Sequence, residues 1–280
     1  MCARYFERRP LATLPGRLAM QMHVTDKLAR ALIGTVPVLL AACTPSPQPP
    51  AGLSDEQTMS QAQIEPEPQR HSQARAAMVQ QQLAGRDITN PAVLAAMQAV
   101  PRQHFVPPDL ELQAYLDRPL PIGHGQTISQ PYIVALMSQL AAVDSESHVL
   151  DVGTGCGYQA AVLAEICAHV VSIEILEPLA TTARQRLQGL GYDNVEVHHG
   201  DGYRGYPSSA PFDAIVVAAA PLHVPQPLID QLAIGGKLVI PVGDSSQQLL
   251  VIEKLVDGST HQRQVAPVSF VPMTGPLGQP

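Results

Sequence analysis

The stretch Val149-Leu150-Asp151-Val152-Gly153-Thr154-Gly155-Cys156-Gly157-Tyr158 decides the fold. A short apolar run, His148–Val152, meets glycines at 153, 155 and 157, and Tyr158–Ala168 beyond them carries helical periodicity. A buried strand that turns tightly into a helix needs glycine, because the backbone bends sharply and must lie close against any ligand. In such sheets ligands sit beyond the carboxyl ends of the strands. The spacing is not the G-x-G-x-x-G of a dinucleotide site, which cradles a pyrophosphate at a helix N-terminus. Alone, a glycine-rich bend is a weak signal and would serve equally as a plain structural turn.

Outward from this bend, strands and helices alternate. His169–Glu174, Asn194–His199, Asp213–Ala219 and Lys237–Val242 read as strands, separated by helices over Pro178–Leu190 and Val224–Ala233. Gln248–Val256 and Gln264–Val271 suit a closing antiparallel pair. Upstream, Ala74–Leu83 and Ala92–Val100 read as helices, the second with Asn90 as N-cap and Pro91 at its first turn. The pattern predicts an α/β fold: a doubly wound, mostly parallel seven-stranded sheet with N-terminal helices.

Two acids stand at the next strand tips. Glu174 closes the second strand, about 20 residues on, where an acid in dinucleotide folds takes both ribose hydroxyls. Asp201, in Gly200-Asp201-Gly202 after the third strand, is placed to meet an adenine amino group. Either acid alone would pass for a solvated charge, but three successive strand tips together point to a nucleoside-type cofactor. The G-x-G-x-G spacing resembles the turn by which class I methyltransferases hold the methionyl part of S-adenosyl-L-methionine. That resemblance implies a cofactor site built from Asp151, Gly153, Thr154, Gly155, Glu174, Asp201 and Gly202.

Ahead of the first core strand lies Pro121-Ile122-Gly123-His124-Gly125-Gln126-Thr127-Ile128-Ser129-Gln130-Pro131, read as a glycine-punctuated loop before an apolar helix, Tyr132–Leu140. It closely resembles the signature of the protein-L-isoaspartate O-methyltransferases. Val100-Pro101-Arg102, Phe105-Val106-Pro107, Ala114-Tyr115 with Asp117, Pro211-Phe212-Asp213, Gly235-Gly236, Pro241-Val242-Gly243 and Phe270-Val271-Pro272 also match that family. The resemblance implies methylation of the free carboxylate of isoaspartyl residues in damaged proteins and peptides, which starts their repair. By position it makes Ser129 the active-site residue, with Thr127 and Ile128 beside the cofactor and Thr274 toward the substrate. A carboxyl group with a pKa of about 3.5 is already ionised at neutral pH, so no general base is needed. Ser129 therefore reads as a donor that orients the carboxylate. Two departures from the family pattern, Cys156 for the usual Ser and Asp151 for the commoner Glu, keep size and charge respectively.

The rest of the chain bounds these expectations. Of 280 residues, 45% are hydrophobic and 15% charged, so a sizeable core is available, and the net charge of −7 argues against nucleic acid as a partner. Cys2, Cys43, Cys156 and Cys167 lack zinc-site spacing, and adjacent His198 and His199 would face opposite sides of a strand, so no metal is expected. Residues 1–43 contain a short apolar run, Ala31–Ala42, preceded by Lys27 and Arg30 and ending in Leu40-Ala41-Ala42-Cys43, which looks like a lipobox. This reads either as a lipoprotein signal or as a mis-assigned upstream start. Residues 44–73, rich in Pro, Gln and Ser, read as a flexible linker, and 74–280 as the methyltransferase domain. A cytoplasmic monomer is expected. Membrane attachment would come only through lipidation of Cys43, which would place the protein in the periplasm. Transfer to another acceptor, and an anchored module without turnover, remain open alternatives.

Overall fold

The structure is a computed structural model that describes residues 67–276; the signal-like segment and most of the linker lie outside the described residues. Helix α1 (Glu67–Ala77) begins ahead of Ala74 and winds on into a π-helical turn, Met78–Ala84, closed where the Gly85 amide donates to the Gln80 carbonyl at 2.9 Å. Helix α2 (Pro91–Ala99) is capped by Asn90, whose side-chain oxygen accepts the Ala92 and Val93 amides at 2.9 and 3.4 Å.

The segment read as a loop is instead a hairpin of β1 (Leu120–Gly123) and β2 (Gln126–Ile128). Its tip runs through left-handed backbone at Gly123, His124 and Gly125, with φ of 89°, 53° and 70°. Strands this short carry too little alternation to be read as strands. After α3 (Pro131–Ala141) come β3 (His148–Val152), α4 (Tyr158–Ala164), β4 (His169–Glu174), α5 (Glu177–Gly189) and β5 (Val195–His199). The chain continues with β6 (Phe212–Val217), α6 (Gln226–Asp230), β7 (Leu232–Gly243), β8 (Gln247–Lys254) and β9 (Thr260–Val268).

These form the predicted seven-stranded sheet in the order β5-β4-β3-β6-β7-β8-β9, parallel from β5 to β7 and antiparallel through β8 and β9. Helix α6 is far shorter than the Val224–Ala233 span expected. Pro225 and Pro227 confine its start, and Leu232 is drawn into β7 by pairing with Phe212. Helix α4 stops at Ala164, short of Ala168. Strand β9 ends before Val271 because the side-chain amide of Gln247 takes over the backbone of Phe270, donating to its carbonyl at 3.0 Å and accepting its amide at 2.7 Å.

Alternation along each strand divides the core. Leu150 and Val152 of β3 pack with Val171 and Ile173 of β4 on the face that carries Leu228 of α6. Val149 and Val170 face the other side, with Val93 of α2, Val134 of α3, Tyr158 of α4 and Leu187 of α5. Burial on both faces explains why the parallel strands read as continuous apolar runs. From β3 the chain order runs one way to β4 and β5 and the other way to β6 and β7, so the carboxyl ends of β3 and β6 flank a topological switch point.

Candidate functional site

The glycine bend leaves β3 at that switch point. Gly153, Gly155 and Gly157 have φ of 92°, 52° and 93°, a backbone that side-chain-bearing residues rarely adopt. The bend is tied to its neighbours: the Gly153 amide donates to the Ile173 carbonyl, and the Ala218 amide to the Val152 carbonyl, both at 2.8 Å. Beneath it runs a buried polar chain. Ser172 Oγ donates to Asp151 Oδ2 at 2.7 Å and lies 2.6 Å from Thr154 Oγ1. Burial above all, with the charge of Glu174 adding to it, pushes the Asp151 carboxyl up to about 7 against the opposing Ser172 bond.

The two acids at the next strand tips differ. Glu174, 5% exposed, accepts the Gly155 amide at 2.8 Å and the Leu176 amide at 3.0 Å, which fixes the carboxylate at the mouth of the bend with lone pairs to spare. Asp201 Oδ1 accepts the Tyr203 amide at 3.0 Å, while Oδ2 is buried without a partner among the described residues. A buried acceptor left unpaired is costly, so Oδ2 calls for a donor such as an amino group. Gly202 beside it is packed so closely that a Cβ there would lie 2.5 Å from Val152 Cγ1 and 2.9 Å from Met273 Cε.

A cleft of about 800 Å³, open to solvent, lies over the bend. Of the residues singled out from sequence, Thr127, Ile128, Ser129, Gly153, Thr154, Gly155, Glu174, Gly202 and Thr274 line it. Asp151 and Asp201 do not. Asp151 is fully buried behind the bend, where it braces Thr154 through Ser172, and Asp201 sits behind Gly202. A second cleft of about 1070 Å³ opens beyond Ser129, between Gln130 and Ile133 on one side and residues 267–270 on the other. Thr127, Ser129, Ala218 and Val271 belong to both. The Ser129 hydroxyl makes no protein hydrogen bond among the described residues, and no acid or histidine is hydrogen-bonded to it, so it is free to donate to a ligand.

The segment after β9 walls both clefts. It is strapped down by the Ala220 amide on the Val271 carbonyl at 2.9 Å, the Met273 amide on the Ala220 carbonyl at 2.8 Å and the Tyr203 hydroxyl on the Met273 carbonyl at 3.1 Å. Met273 and Gln159 also line the first cleft, although nothing in their local sequence marks them. Asp117 holds the chain beyond Ser129, accepting Gln130 Nε2 at 2.8 Å and the Tyr132 amide at 3.2 Å.

Residues 73–278 match the family model described as protein-L-isoaspartate(D-aspartate) O-methyltransferase. The chain is 58% identical over 193 residues to protein-L-isoaspartate O-methyltransferase 2 of Polaromonas sp., covering 68% of this chain and 92% of that protein. It is 52% identical over 240 residues to protein-L-isoaspartate O-methyltransferase of Synechococcus sp., covering 81% and 95%. Among solved structures it superposes at a TM-score of 0.65 and 26% identity on a protein-L-isoaspartate O-methyltransferase, covering 74% of this chain and 67% of the other. A putative enzyme of the same type from Plasmodium falciparum, in complex with S-adenosyl-L-homocysteine, superposes at 0.63 and 26% identity, covering 71% and 98%.

Proposed function

Because this chain belongs to the protein-L-isoaspartate(D-aspartate) O-methyltransferase family, we propose that its two clefts hold S-adenosyl-L-methionine and an isoaspartyl peptide on either side of Ser129. The chain is an S-adenosyl-L-methionine-dependent carboxyl O-methyltransferase acting on isoaspartyl residues of damaged proteins. The cofactor, when bound, supplies a methyl group on a positively charged sulfur, which a carboxylate oxygen takes to leave a methyl ester and a neutral thioether.

The residues present fit that cofactor. Glu174 offers a fixed carboxylate to ribose hydroxyls at the mouth of the bend, and Gly202 lines the cleft where the base would lie. The glycine bend would take the methionyl end, and Asp151 would support it from behind. On the acceptor side Ser129 donates to the carboxylate and orients it and Thr127 flanks it, both on the wall the clefts share, whereas Thr274, expected toward the substrate, lines only the first cleft. No residue has to remove a proton. Opposite charges vanish as the reacting groups meet, so the apolar walls formed by Ile128, Val134 and Ile173, together with correct alignment, supply most of the rate.

The observation that carries this reading is the wall of Thr127, Ser129, Ala218 and Val271 common to both clefts. It is tested by incubating the full chain with methyl-labelled cofactor and paired peptides containing L-isoaspartate or L-aspartate. Base-labile label on the first alone is expected, and equal labelling of both would overturn the reading. Ser129→Ala should lower turnover before it weakens cofactor binding; unchanged turnover removes Ser129 from the mechanism. We further propose a monomer in the cytoplasm, where the cofactor is made. Lipidation of Cys43 and a periplasmic anchor is the alternative, and the intact mass of the native protein separates the two.

A further inference from the structure

We propose that Arg102 is the positioning residue that holds Ser129 in register with the glycine bend. This inference rests on the role given to Ser129 above. Arg102 is fully buried, yet among the described residues no carboxylate pairs with it. Its Nε donates to the Ala114 carbonyl and its Nη2 to the Ser129 carbonyl, each at 2.7 Å. Its guanidinium lies over the ring of Tyr158, 4.6 Å from the centroid, and Tyr158 opens α4 directly after Gly157 and lines the first cleft.

One planar group therefore touches the backbone of the acceptor-side residue and the first side chain after the donor-side bend. Asp117 grips residues 130 and 132 just beyond, so Ser129 is clamped from both directions. Stability alone is a poor account of such a residue. A buried charge without a counter-ion is expensive, and Nη1 has no hydrogen-bond partner among the described residues, so part of that cost is not recovered within the fold. A rigid fork that reaches two carbonyls while stacking on an aromatic ring is what arginine provides and lysine does not.

The test uses the full chain with Arg102→Lys, Arg102→Met, Ser129→Ala and the two double variants. The readouts are kcat on an isoaspartyl peptide, the Kd of S-adenosyl-L-homocysteine, and Tm. Misplacing a reacting group by an ångström can cost a hundredfold, so Arg102→Lys should lower kcat by about tenfold or more and leave the Kd within about twofold. In the Ser129→Ala background the same change should cost nothing further, because the residue it positions is already gone. Wild-type kcat in a folded Arg102 variant, or factors that multiply in the double variants, would overturn the inference. Loss of the fold in both Arg102 variants would overturn it too, in favour of a structural role alone. Unchanged turnover in Ser129→Ala by itself sinks the Ser129 assignment, whatever Arg102 does.

Discussion

Replacing Asp151 with Asn should change how stability depends on pH, within a window set by burial. The carboxyl is fully buried, with Ser172 on one oxygen and no partner among the described residues on the other. Its pKa is raised from 3.8 to about 7. The folded chain thus holds this proton more tightly than the unfolded chain. Its contribution to stability is whole below about pH 4, falls as pH rises, and is lost once pH passes about 7. A displacement of about three pH units at about 1.36 kcal/mol each gives roughly 4 kcal/mol as an upper figure, and relaxation around the charge brings the expected change to about 2–4 kcal/mol. The amide introduced by Asp151→Asn would be neutral throughout and lack this dependence. Urea unfolding followed by circular dichroism at intervals between about pH 4.5 and pH 8 should show wild type losing ground to Asp151→Asn as pH rises, then running parallel to it. A stability difference that stays constant across the range would refute the reasoning.

Glu174→Gln removes a charged acceptor and turns an amide N–H toward the Gly155 or Leu176 amide. At about 1.5–3 kcal/mol for a hydrogen bond to a charged group, the Kd of S-adenosyl-L-homocysteine should rise by roughly ten- to a hundredfold in calorimetry; an unchanged Kd would count against the ribose role. Gly202→Ala forces a Cβ against Val152, a strand residue that cannot yield, and should cost about 1–3 kcal/mol in urea unfolding. An unchanged midpoint would show that the strand tip is softer than its packing implies. Phe212→Ala empties a fully buried site against His148, whose ring centroid is 4.9 Å away, and should cost about 3–5 kcal/mol by the same measurement.

Strand β3 begins and ends where its apolar run does, because both faces are buried and Gly153 stops the run, whereas β4 ends at Glu174 although Ile175 and Leu176 follow, because α5 starts at Glu177. The hairpin at 120–128 was not legible, since its shape comes from left-handed backbone at the tip rather than from any apolar period. Helix α6 misled for the opposite reason: its apolar residues continue into β7, and the pairing of Leu232 with Phe212 decides where helix ends. At the site, the glycines and Glu174 stand out because each sits at a strand tip or beside one, whereas Ser129 stands out only through the family signature around it. Asp151 illustrates the limit. Its strand position was plain, but alternation puts it on the face away from Val152, and it braces the bend instead of lining the cleft. Arg102, Asp117, Gln159 and Met273 act across chain separations that no local pattern records.

The strap over residues 271–274 has a thermodynamic consequence. Because it forms part of one ligand's enclosure and of the other's, any ordering that the first ligand imposes on it is ordering the second need not repeat. Any such ordering would link the two affinities, and by reciprocity the donor would strengthen peptide binding by the same factor as the peptide strengthens donor binding.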